Sequence, residues 1–149
     1  MKSIITILLF GLVLGVGAAA AQVDTFRTLV SAKSLKCQFG PGSVGKWAGS
    51  KLAVQQERFD VALHFDSIDA KSGKARMIGN EGATDVTVLA SPSGITFVEQ
   101  TGSGNIVFTT VFPAMVPGTD EFYAVMSRHM TLPSGPLPSQ YHGKCGVWQ

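Results

Sequence analysis

Charge is scarce in this chain. Only 15% of its 149 residues are Asp, Glu, Lys or Arg, and the formal net charge is +2. No basic patch stands out, so the electrostatic footprint of a nucleic-acid binder is missing. Cysteine is scarcer still: Cys37 and Cys145 are the pair, and their spacing is far from the Cys-x-x-Cys of redox or thiolate-metal motifs. The histidines are His64, His129 and His142. No two of them share the short spacing that puts two imidazoles on one metal, and Met126 and Met130 read as core filler before soft ligands. No metal and no cofactor are expected. Beyond the N-terminus no apolar run approaches the roughly 20 residues of a membrane helix.

The N-terminus is the exception. Met1-Lys2 gives a positive start, Ile4 to Val16 is almost unbroken apolar sequence, and Ala18 to Ala21 supplies small residues before Gln22. Positive start, apolar centre and small-residue exit are the three parts of a secretory leader. Residues 1–21 are therefore expected to be a signal peptide and residues 22–149 one β-rich domain, periplasmic or secreted, with no membrane insertion once the leader is gone. With Lys2 removed, 11 basic residues face 10 acidic ones. In an oxidising compartment two lone cysteines most simply pair, so Cys37 and Cys145 are expected to form a structural disulfide.

Alternation dominates the rest. From Arg58 to Asp66, Phe59, Val61, Leu63 and Phe65 point one way while Asp60, Ala62, His64 and Asp66 point the other, as in an antiparallel strand with one buried face. Shorter runs at Ser34–Phe39, Lys74–Ile78, Thr84–Ala90, Ile95–Thr101, Ile106–Phe112 and Glu121–Leu132 sit between Gly, Pro, Ser and Asn clusters, the punctuation of hairpins. Asp24 is placed to cap a short helix whose face is Phe26, Leu29 and Val30, with an edge strand as the alternative. Pro133–Pro138 reads as an extended connector and Tyr141–Trp148 as a tail pinned by Cys145, with Trp148 over the disulfide. The expected fold is all-β: an antiparallel small barrel or sandwich of about seven to eight strands, with a short N-terminal helix and one disulfide.

Several constellations touch on chemistry. Gly40-Pro41-Gly42-Ser43-Val44-Gly45-Lys46 has the spacing of a phosphate-binding loop, but Trp47 stands where the magnesium-binding hydroxyl belongs. A flexible glycine loop is the better reading. Ser127-Arg128-His129 invites a catalytic triad with Asp66, Glu99 or Asp120. On one strand, however, Ser127 and His129 lie about 6–7 Å apart, too far for a direct nucleophile–base bond. Arg128 falls on the apolar face with Phe122 and Met126, and is expected to pair with a carboxylate, Glu99 or Asp120. Trp47, Trp148, Tyr123 and Tyr141 could line a pocket mouth.

Three stretches taken together carry a resemblance: Ile95-Thr96-Phe97-Val98-Glu99; Gly104-Asn105 with Thr109-Thr110-Val111-Phe112; and Ser127-Arg128-His129 followed by Pro138-Ser139-Gln140-Tyr141-His142-Gly143-Lys144-Cys145. This resembles a group of small exported bacterial proteins ending in Pro-Ser-Gln-Tyr-x-Gly-x-Cys, over about the C-terminal 55 residues. The resemblance implies export and a shared fold, and brings no activity with it. It marks Ser127, Arg128, His129, Gln140 and Tyr141 as candidate binding residues, to which the pocket-mouth aromatics add Trp47; no catalytic residue is expected. The leading expectation is a non-catalytic module that binds a small apolar ligand or a protein. One alternative is an inhibitor acting through the loops Gly40–Lys46 and Leu132–Ser139. Another is a hydrolase using His129 or His64.

Overall fold

The alternating runs form one continuous sheet. The computed structural model describes residues 16–80 and 82–148, with side chains from Asp24 onward. Residues 1–15 of the expected leader lie outside the described residues. One helix, α1 (Val16–Ser31), precedes eight strands: β1 (Leu35–Ala48), β2 (Lys51–Asp69), β3 (Lys74–Gly79), β4 (Gly82–Ser91), β5 (Gly94–Gln100), β6 (Ile106–Met115), β7 (Glu121–Leu132) and β8 (Gly135–Val147). Each strand pairs antiparallel with the next, and β1 pairs with β8, so the sheet closes into an up-and-down barrel. Closure decides between barrel and sandwich, and it leaves the sheet without an open edge around its waist.

The seam between β1 and β8 carries the disulfide. Cys37 and Cys145 are register partners, both fully buried, and they are bonded. Backbones approach closely here. A methyl group at Gly143 would stand 2.2 Å from the Gln38 carbonyl oxygen, and one at Gly42 would stand 2.1 Å from that of Gln140. Both positions therefore exclude any side chain.

The two ends of the barrel differ. The β2–β3, β4–β5 and β6–β7 turns lie at one end, the floor; the other four turns surround the mouth. Helix α1 covers the floor. Leu29 on its inner face and Ala32 just past its end are buried, and Thr25 Oγ1 donates to the Pro113 carbonyl at 2.9 Å. Above it the lower barrel is filled by Leu35, Phe39, Ile68, Ile95, Val111 and Phe122, with Phe65 and Phe97 stacked at 3.9 Å.

Five expectations need correction. Asp24 lies inside α1 and does not cap it; its carbonyl accepts from Thr28 Oγ1 one turn on. Gly40–Lys46 is no loop but part of β1, paired to β2 and up to Val44 to β8, with a bulge after Phe39 absorbing Gly40 and Pro41. Residues 135–138 of the expected connector belong to β8: Thr131 faces Pro136 and His129 faces Pro138 across β7. Strand β6 continues through Pro113 to Met115, where a register shift accommodates the proline. Trp148 does not cover the disulfide; it lies outside the barrel, about half exposed, under Lys36 Nζ and edge-on to His64.

Candidate functional site

Inward-facing side chains fill the lower barrel but not the upper half. There a cavity of about 400 Å³ opens at the mouth. Its walls are mixed: Phe59, Val61 and Leu63 from β2, Met77 from β3, Val107 from β6, and Met126 and Met130 from β7 are apolar, while Asn80, Thr84, Glu99, Gln100, Thr101 and Arg128 also line it. Gly79, Gly82 and Gly102 leave it uncluttered near the rim. A methyl group at Gly79 would meet only Leu63 Cδ2, at 3.9 Å.

The reason for the opening is strand length. β2 is 19 residues long and β3 only six. Among the described residues β3 pairs with β2 only between His64 and Asp69. Above His64, β2 therefore stands over the short β3–β4 hairpin with that flank unpaired. Phe59 and Val61 form one cavity wall, and Ala83 and Thr84 form part of the other.

Polar groups gather at the rim. Arg128 faces inward, half-buried, with its guanidinium carbon 4.7 Å from the centre of the Phe59 ring. That is a cation–π distance. The Tyr141 ring lies 5.2 Å from the same Phe59. The Tyr141 hydroxyl donates to Glu57 Oε2. Burial pushes the Tyr141 phenol above the ordinary tyrosine value, and the bond to the Glu57 carboxylate raises it further, because both favour the neutral phenol. Glu99 lines the same cavity; it faces Val107 across β6, and Val107 in turn faces Arg128.

The candidate residues divide between the two faces of the barrel wall. Arg128 and Tyr141 come together inside. Ser127, His129 and Gln140 point outward: Gln140 Nε2 donates to Ser127 Oγ at 3.2 Å, and His129 sits edge-on to Phe108 at 5.3 Å. Trp47 is apart from both groups, 45% exposed on the far end of β1. The expected partner of Arg128 is corrected in part. Asp120 lies in the β6–β7 turn at the floor, at the opposite end of β7; the Phe59 ring is one contact of Arg128, and Glu99 lines the same cavity.

Two features escaped the sequence reading. Glu57 continues the inward row of Phe59, Val61, Leu63 and Phe65 by the same period of two, and that parity was its signal. Ser34 has no such signal. Its Oγ lies 2.6 Å from His64 Nε2, a serine–imidazole contact of the kind a hydrolase needs. It stands on the outer wall beside Trp148, away from the cavity. Asp66, the nearby acid, has both oxygens on Arg76, at 2.9 and 2.7 Å. That pairing holds the Asp66 carboxyl below the ordinary value. A triad with Asp66 orienting the imidazole is thus not assembled.

No family model matches the chain, and no curated protein matches it either.

Proposed function

We propose that this is an exported, non-catalytic binding protein that takes one small apolar ligand into the upper half of its barrel. One observation carries the reading: the barrel is filled below by buried side chains and holds a cavity of about 400 Å³ above, walled by apolar side chains from four strands with polar groups among them, and open at the mouth. Ligand sites commonly have volumes of about 300–1,000 Å³, mostly apolar with a few polar groups. An eight-stranded barrel is just wide enough for one small guest.

The lining suits a guest of imprecise shape, since Met77, Met126 and Met130 can repack around it. The rim suits a polar end. Arg128 presents N–H donors near the Tyr141–Glu57 pair, so the apolar part of a ligand enters first. The face pattern supports a barrel that works in water. The buried apolar side chains point inward, while Arg58, Asp60, Asp66, Lys74 and Arg76 are exposed or half-exposed on the outside, among scattered exposed apolar residues such as Leu89 and Tyr123. Membrane-spanning barrels have the reverse pattern. The disulfide belongs to an oxidising, non-cytoplasmic environment; with the leader-like N-terminus it supports a periplasmic or secreted site of action.

Titration with an apolar dye that fluoresces out of water, such as N-phenyl-1-naphthylamine, tests the reading. The expected result is saturable binding at one dye per chain, reversed by long-chain apolar competitors. A flat titration, or dye that no competitor displaces, would overturn it.

A further inference from the structure

The hairpin of β1 and β2 runs beyond the barrel. Strand β8 accompanies β1 only to the pair Val44–Ser139. Pro138 comes next on β8 and has no N–H to extend the ladder. Gly45 to Ala48 therefore pair only with Lys51 to Val54, around the two-residue turn Gly49-Ser50. Gly49 there has a φ of 61°, the positive value that tight hairpin turns ask of their glycine.

This two-stranded ribbon has two unlike faces. Trp47 faces Leu52 and Gly45 faces Val54, so Trp47, Leu52 and Val54 share one side. They are 45%, 50% and 68% exposed. Lys46 faces Ala53 and Ala48 faces Lys51, so both lysines share the other side. Between Ser43 and Gln56 these lysines are the only charged residues; the first carboxylate after them is Glu57.

We propose that the tip of this hairpin docks on an anionic phospholipid surface. Three exposed apolar side chains on one side of a ribbon end match an interfacial anchor, with tryptophan as the residue that favours the boundary between headgroups and chains. The two lysines supply the complementary charge, and their long stems let the ammonium groups stay at headgroup level while the ribbon dips. A second copy of the chain is the poorer occupant, because a contact between two apolar faces gives Lys46 and Lys51, on the other side of the ribbon, no complementary charge. The docking does not require a filled cavity, so it stands or falls apart from ligand binding.

Tryptophan fluorescence of the full chain carrying Trp148→Phe, which leaves Trp47 as reporter, tests this with phosphatidylcholine vesicles with and without phosphatidylglycerol. The expected result is a blue shift and saturable binding on the anionic vesicles, weak or absent on neutral ones. Each lysine strengthens such binding about fivefold, so Lys46→Gln with Lys51→Gln weakens it about thirtyfold. Leu52→Asp removes it. Both variants alter exposed side chains, and an unchanged melting temperature confirms that they fold. No shift on anionic vesicles overturns the proposal, as does binding indifferent to these substitutions. Concentration-dependent dimerisation lost in Leu52→Asp, or recruitment to a protein in place of lipid, equally overturns it.

Discussion

Breaking the Cys37–Cys145 bond tests how far the barrel depends on its seam. The bond closes a chain segment with a sequence separation of 108. In the chain-entropy description a loop of about that length is worth about 4.8 kcal/mol, through restriction of the unfolded chain. A domain of about 125–130 residues unfolds with an entropy of about 0.27 kcal/mol per kelvin. The two together set the expected fall in melting temperature at about 15–18 °C. Both sulfurs are fully buried, so reductant reaches them only in the unfolded chain. Reduction therefore has to be done in denaturant, with refolding under reducing conditions. Circular dichroism melts of oxidised and reduced protein, beside a Cys37→Ser, Cys145→Ser variant, give the comparison. The reduced barrel should still fold, because eight register pairs join β1 to β8, but with that lower midpoint. A drop of less than about 3 °C would refute the reasoning, since the reduced chain would then be as restricted as the oxidised one.

Other outcomes follow from single positions. Gly143→Ala drives a methyl group against the Gln38 carbonyl and should cost about 3 kcal/mol or more in a denaturant titration, whereas Gly49→Asn at the open turn should cost far less. Tyr141 has a raised phenol pKa in the fold, so the stability that this adds is complete below about pH 10 and is lost as pH rises through the folded value; Tyr141→Phe should flatten that alkaline decline, and the phenolate absorbance lost with it should be the late-titrating one. Arg128→Ala should lower stability by about 1 kcal/mol through the lost contact with Phe59, and Ser127→Ala and His129→Ala, on the outer wall, by about 0.5 kcal/mol or less. Equal losses at all three in thermal melts would contradict the inside–outside division of β7.

Much of the barrel was legible because period-two patterning is a direct record of which face is buried. The stretch from Phe59 to Phe65 announced β2, and Glu121–Leu132 gave both the limits and the facing of β7. The hairpin tip was not read, although its sign is present. Apolar residues of β2 stand at even positions in Leu52 and Val54 and at odd positions from Phe59 on. The strand keeps its parity while its apolar side passes from outside to inside. An expectation of one buried face per strand discards such a segment, and glycine at Gly40, Gly42 and Gly45 then makes its partner look like a loop. Closure of β1 on β8 was beyond pattern altogether, because it rests on long-range pairing that proline and glycine only limit. The cavity was hidden for a related reason. It comes from the mismatch between long β2 and short β3, which no single strand's sequence contains. Arg128 was marked by its place on the apolar face of its strand and Tyr141 as an aromatic for a pocket mouth, and the resemblance marked both, but only the register joins them to Phe59 and Glu57.

A bound guest must share its space with any side chain placed in the cavity, and Gly79 offers the cleanest way to add one. Its backbone is not in the left-handed region, it lines the cavity, and the nearest atom to an added methyl group is 3.9 Å away. Gly79→Leu should thus fold with a melting temperature close to that of the parent chain. Dye titration of Gly79→Leu beside the parent is the direct measurement. Apolar binding inside the barrel predicts a saturable signal from the parent and its loss, by tenfold or more, in about the same fold for Gly79→Leu. Equal binding by both proteins would place the dye elsewhere and contradict the account.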